Sequence, residues 1–248
     1  MSATEPAGIA RGPKVSELIA RRIVDEIVSS RRQPGDKLPS EAAMLEQYRV
    51  GRSSLREALL LLEVLGLIAR RPGRSGGPVV GAVSERDFAS IATLYFRVGG
   101  ITYRELIESR LILQPIAARL AAERQERRML EHLERLVART PLVDLADDRA
   151  YLDLILEYQA TVASVSGNAV LSLFARLLAD IYASRLERAI APVPGRPRVL
   201  QTHLAIAKAI LAADGPLAED LARRHMEATM KRISRSLAGM LDQVIEWQ

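Results

Sequence analysis

Apolar residues recur at three- and four-residue spacing along most of the 248-residue chain, in blocks separated by short clusters of Gly, Pro, Asn and Ser. That is the period of helices that bury one side. From Val15 to Ser30, Leu18, Ile19, Ile23, Ile27 and Val28 line one side, and Arg21, Arg22, Asp25 and Glu26 lie off it. Gln33-Pro34-Gly35-Asp36-Lys37 is a turn. Pro39-Ser40-Glu41 then opens a second helix, with Ser40 placed to cap the free N–H groups and Glu41 suited to the positive helix end. In Tyr48-Arg49-Val50-Gly51, Gly51 is expected to supply a positive φ. Arg52 to Leu65 forms a third helix whose Leu55, Ala58, Leu62 and Leu65 share a side, and Gly66 ends it. Leu67–Arg70 and Pro78–Val80 read as extended pieces around a basic, glycine-rich tip.

Beyond Val83 no strand-like alternation remains. Helices are predicted over 85–98, 103–123, 127–138, 149–165, 169–191, 198–213 and 217–246. Gly99-Gly100, Thr140-Pro141, Ser166-Gly167-Asn168, Pro192–Pro197 and Asp214-Gly215-Pro216 separate them. Ser84 and Thr102 are placed to cap the first two, and Pro115 to bend the second. The fold expected is mostly α: an N-terminal winged helix-turn-helix and a C-terminal all-α bundle of about seven helices. The domains would be a flexible tail over 1–13, the first domain over 14–82 and the bundle over 83–248.

Composition agrees with helices packed on helices, since 48% of residues are hydrophobic and only 4% aromatic. The net charge of +5 is uneven: residues 1–81 carry 13 Lys+Arg against 9 Asp+Glu, and residues 82–248 carry 22 against 21. With no cysteine, disulfides, thiolate metal sites and cysteine nucleophiles are excluded. No signal peptide and no membrane-spanning apolar run is read, so a cytoplasmic protein without a membrane partner is expected. Phosphate-loop, HExxH and nucleophile-elbow motifs are absent, and no enzyme is expected.

The excess charge falls where a double-stranded DNA operator would be read. A major groove admits one helix, and arginine reads guanine through two parallel hydrogen bonds. Arg52 and Arg56 stand four apart at the start of the third helix. The expected DNA-contacting set is Ser40, Arg49, Arg52, Ser53, Ser54 and Arg56, with Arg71, Gly73 and Arg74 on the hairpin tip. This region resembles the DNA-binding domain of the GntR family of bacterial transcription regulators. The resemblance rests on Leu38-Pro39-Ser40-Glu41, Arg52-x-x-Leu55-Arg56-Glu57-Ala58, Leu61-x-Glu63-x-x-Gly66-Leu67-Ile68 and Arg71-Pro72-Gly73. Where the family usually has a DNA-contacting arginine after the PSE sequence, this chain has Ala42.

The second half is similar to the FCD ligand-binding domain of the FadR-type branch, through Glu108-x-Arg110-x-x-x-x-Pro115, Ser166-Gly167-Asn168, His203 and His225. The resemblance implies an effector cavity inside the bundle. Known members hold a metal there with an Asp, a His four residues on, and two later histidines. His203 and His225 match the later pair. Counting back from Asn168, the earlier pair falls at Ile155 and Gln159, so neither a metal nor another cofactor is expected. Arg110, Gln159, His203 and His225 are the expected effector-binding residues, taking a carboxylate-bearing or lipid-like molecule. His132 is expected on the surface. The reading that follows is a homodimeric, effector-released repressor on a near-palindromic operator. Two others stay open: a DNA-binding regulator with a non-sensing dimerisation bundle, and a metal-dependent helical enzyme.

Overall fold

The structure is a computed structural model that describes residues 13–71, 77–82, 85–182 and 192–247. Residues 1–12 of the tail expected over 1–13, the cap Ser84, and the expected hairpin contacts Gly73 and Arg74 lie outside the described residues. So does the stretch 183–191 of the fifth bundle helix. Contacts divide the chain into two compact units, 1–87 and 88–248.

The first unit contains α1 (Val15–Ser29), α2 (Glu41–Tyr48), α3 (Arg52–Val64), β1 (Ile68–Arg71) and β2 (Gly77–Val80). Its core gathers Ile19, Ala20 and Ile23 of α1, Met44 and Tyr48 of α2, Leu55, Ala58, Leu59 and Leu62 of α3, and Ile68. Leu18 and Val28, expected on the buried side of α1, are instead 46% and 69% exposed; Ser16 and Ala20 are buried and shift that side by part of a turn. Ser40 caps α2 by accepting from the Ala43 amide. The turn into α3 is corrected: Arg49 takes the left-handed conformation (φ 54°), whereas Gly51 is extended (φ −74°) as the residue before the helix. The chain needs one left-handed step to close α2, and it takes that step directly at the helix end. β1 and β2 pair antiparallel from Ile68↔Val80 to Arg71↔Gly77. Gly66 (φ +71°) ends α3, and a Cβ on Gly81 would lie 2.1 Å from the Gly66 carbonyl oxygen. Gly81 therefore permits the close approach in which its amide donates to the Leu67 carbonyl.

The second unit is built from α4 (Glu85–Val98), α5 (Tyr103–Arg124), α6 (Arg127–Arg139), α7 (Asp148–Val165), α8 (Ala169–Tyr182), α9 (Arg196–Leu211), α10 (Gly215–Ser236) and the one-turn α11 (Ala238–Leu241). Thr102 and Glu105 cap the start of α5 reciprocally. Pro115 is buried within α5. Asn168 accepts from the Leu171 amide, and the Ser166 and Ser172 hydroxyls both donate to the Ala163 carbonyl, fixing the turn between α7 and α8. Arg196-Pro197 and Gly215-Pro216, expected as breaks, belong to the first turns of α9 and α10. Proline is tolerated there because its missing N–H has no partner in the helix.

The predicted helix over 217–246 is also corrected. It ends at Ser236, after which Leu237 (φ −142°) leaves the helical region. Leu241 and Ile245 then enter the core and the Ile245 amide donates to the Ile101 carbonyl. Burying those two side chains outweighs continuing a helix into solvent.

Helix α5 packs against α10, α8 and α7. One core cluster joins its C-terminal half to α6, α7, α9 and the start of α10. Another joins its N-terminal half to α8, the end of α10 and the tail. Arg110 and Gln114 fall between the two clusters along α5, as His225 and Thr229 do along α10.

Candidate functional site

In the first unit, α3 turns Leu55, Ala58, Leu59 and Leu62 inward. This leaves Arg52, Ser53 and Arg56 exposed and Ser54 half-buried. Arg52 and Arg56, one turn apart, project from the same face. No side chain caps the start of α3. Its first amides and the positive helix end therefore remain open beside Arg49 and Arg52, an arrangement suited to a phosphate. Arg71 is exposed at the end of β1. The neighbouring Arg70 is held by Glu63 at 3.1 Å and Glu41 at 3.8 Å, tying β1 to α3 and α2. Ala42 is exposed in the first turn of α2 and offers no polar group.

In the second unit, the structure brings Arg110, Gln159, His203 and His225 together from four helices. Arg110, 2% exposed, donates to Gln159 Oε1 at 2.9 Å, and its guanidinium lies 4.0 Å from the centre of the Tyr182 ring. His203 Nδ1 is 2.9 Å from the Val199 carbonyl oxygen, one turn back on α9. With Nδ1 donating, Nε2 is left as an acceptor. The His203 and His225 rings meet edge to face at 4.5 Å, and Tyr158 stands 5.5 Å from His203. The Thr140 hydroxyl donates to the Leu136 carbonyl, so the Tyr158 hydroxyl is the donor in its 2.9 Å bond to Thr140. Burial pushes His203 down to about 4, with the charges of Arg110 and Arg232 adding to the effect and the Val199 hydrogen bond opposing it. Desolvation, then His203, Arg110 and Arg232, also hold His225 well below the ordinary histidine range. Both imidazoles are therefore neutral at neutral pH. His132, by contrast, is half-exposed on α6.

Two spaces meet at these residues. One, of about 40 Å³ and partly open to solvent, is lined mainly by alanines, valine and isoleucine, with Tyr158, Gln159, His203 and His225. The other, of about 20 Å³, is more polar and adds Arg110, Thr229 and Arg232. Gln159, His203 and His225 line both. The sequence reading did not single out Thr229 and Arg232. They follow His225 at four and seven residues, a spacing that puts all three on one face of α10.

The donor set does not fit the metal that the FCD resemblance implies. Ile155, buried where an aspartate is expected, offers no lone pair. Gln159 spends its carbonyl oxygen on the Arg110 guanidinium. A dication would then meet two neutral imidazoles and a cationic surrounding, without a carboxylate among the described lining residues. No described group of three His, Cys, Asp or Glu could hold one elsewhere.

The family model described as "Bacterial regulatory proteins, gntR family" matches residues 15–76, and the FCD domain model matches 105–228. The HTH-type transcriptional regulator Rv0494 of Mycobacterium tuberculosis is 31% identical over 224 residues, spanning 90% of this chain and 91% of that protein. The chain belongs to the GntR family. Its second unit is an FCD domain, and the protein is a DNA-binding transcription regulator. This GntR regulator is also 26% identical to the transcriptional repressor NanR of Enterobacter sp. over 87% of its length and 84% of NanR. A solved Streptococcus agalactiae GntR protein shares the fold, with a TM-score of 0.69 and 24% identity over 87% of this chain and 99% of that one. No described helix is long and apolar enough to cross a membrane.

Proposed function

We propose that this regulator is a homodimeric repressor that grips a near-palindromic operator and releases it when a small carboxylate-bearing effector enters the FCD cavity. The observation that carries the reading is the pocket itself: a buried guanidinium, Arg110, beside neutral hydrogen-bonding groups and next to an apolar space. A carboxylate would pair with Arg110 and accept from the Gln159 amide nitrogen, while the rest of the molecule occupies the alanine-lined part. In the reader, Arg52 and Arg56 would contact base edges. Arg49, Ser40, Ser53, Ser54, Arg71, Gly73 and Arg74 would hold the backbone. A two-fold operator needs a two-fold protein. Exposed Ile112 and Ile116 on α5, with Val170 and Phe174 on α8, supply apolar surface for the partner copy on two helices that pack together. The repressor assignment draws on the NanR likeness.

The effector must bind one dimer arrangement more tightly than the other, or it shifts nothing. Fluorescence anisotropy on a labelled operator tests this, titrating full-length protein against operator with a panel of short carboxylates and a fatty acid. At least one compound should weaken operator binding, and Arg110→Gln should abolish that response while leaving unliganded operator affinity intact. A panel that never moves the operator affinity would point to a bundle that only dimerises.

A further inference from the structure

The effector reading gives Arg110 a ligand but leaves Arg232 without a task. Arg232 lies on α10, on the same face as His225 and Thr229, and lines the polar space that Arg110 enters from α5. Its Nε is buried and has no hydrogen-bond partner. Its only described bond is a long one, 3.4 Å from NH2 to the Thr229 hydroxyl. No aspartate or glutamate is among the described residues lining that space. A guanidinium keeps its charge at any physiological pH, and its planar fork matches a carboxylate through two parallel bonds. A buried donor left unmade is costly, so a cation held this way calls for an anion.

We propose that Arg232 is a second anion anchor, that Arg110 and Arg232 seat the two ends of one effector, and that the effector is a compact dicarboxylate. This rests on the effector reading above and deepens it. The two cations come from different helices and have separate neutral companions: Gln159 beside Arg110, and Thr229 beside Arg232. That arrangement makes two seats rather than one, as two carboxylates on a short chain require. His225 stands on the same face as Arg232, and its neutral ring lies between the polar and apolar spaces. Arg232 also borders a larger and more open space of about 360 Å³ between α9 and α10, lined in addition by Arg198, Thr202 and Arg224. Arg224 is paired there with Asp220 at 2.7 Å. Arg198 therefore supplies the positive charge along an anion's approach to Arg232.

The test is calorimetric titration of the full-length protein in chelator with α,ω-dicarboxylates from malonate to adipate. The monocarboxylates of equal chain length and inorganic phosphate serve as comparison probes. One dicarboxylate should bind at least about tenfold more tightly than its monocarboxylate, the return on a second charge-assisted pair. Arg232→Gln should bring that ratio to near one while leaving monocarboxylate affinity within about twofold, which also reports that the variant is folded. Arg232→Lys should restore part of the ratio. Arg110→Gln should weaken both ligands. A ratio that survives Arg232→Gln, or a monocarboxylate that binds as well as its dicarboxylate, overturns the second anchor and leaves the effector reading standing. Phosphate binding tighter than every dicarboxylate overturns the ligand class. If no carboxylate binds and Arg110→Gln changes nothing, both readings fall.

Discussion

Replacing His203 by asparagine should remove a large part of the acid sensitivity of the FCD domain. The imidazole is buried and its affinity for protons is lowered from 6.5 to about 4, chiefly by desolvation. The unfolded chain therefore takes up a proton on this side chain well before the folded one does. Between those two values the unfolded state binds more protons, so stability falls as pH falls. Above about 6.5 the histidine is neutral in both states and contributes no pH dependence. By pH 5 the linkage amounts to about 2 kcal/mol, and below the folded value it approaches about 3 kcal/mol. His225 acts in the same direction. The asparagine amide nitrogen can take the place of Nδ1 and keep the bond to the Val199 carbonyl, so the substitution removes the titration more than the packing. The assay is urea unfolding of wild type and His203→Asn at pH 8, 6.5 and 5, followed through the FCD transition. Carboxylates titrate in both proteins and cancel in the difference. The stability gap should move in favour of the variant by about 2 kcal/mol between pH 8 and pH 5. A gap that stays constant across that range would refute the claim that the ring is buried and neutral.

Arg52→Ala and Arg56→Ala should each weaken operator binding by about 1–3 kcal/mol and relax sequence preference at one base pair, read by gel-shift titration; near-wild-type affinity for both sinks the proposed reader. Arg71→Ala should weaken binding evenly across sequences and lower the salt slope by about one, measured from anisotropy at several salt concentrations. Thr102→Ala removes one half of the reciprocal cap on α5 and should lower stability by about 1 kcal/mol in urea melts. Sedimentation at micromolar concentration should give twice the chain mass, with Ile116→Glu combined with Phe174→Glu shifting it toward the monomer.

The reader was legible because short-range rules govern it: the spacing of Leu55, Ala58 and Leu62 fixes which side of α3 is buried and so which arginines are exposed. Gly51 misled because glycine alone does not say which residue of a turn takes the left-handed step; Arg49 takes it. The C-terminal helix misled for a different reason. Leu237, Leu241 and Ile245 continue an apolar pattern that suits a helix, and only the core they fall back into, with Ile101 as backbone partner, decides against one. In the pocket, Arg110, His203 and His225 were legible through motif positions. Arg232 was not, because it sits among Arg223, Arg224, Lys231 and Arg235 on one helix. Such a run of bases reads as a solvated face until packing turns one member inward.

The exchange at Ile155 and Gln159 changes how the pocket can be charged. In a site built on an aspartate and imidazoles, the carboxylate offsets half of a divalent metal's charge, and the remaining positive charge attracts a ligand. Here the carboxylate is gone, and Gln159 accepts from a guanidinium that would itself repel a dication. Neutral His203 and His225 complete the set, since a protonated imidazole would add a further positive charge to the same small space. Positive charge for an anionic effector is thus built into Arg110 and Arg232, which do not dissociate and do not titrate. On this account the effector response should persist in chelator and stay flat between pH 6.5 and 8, where neither histidine changes charge.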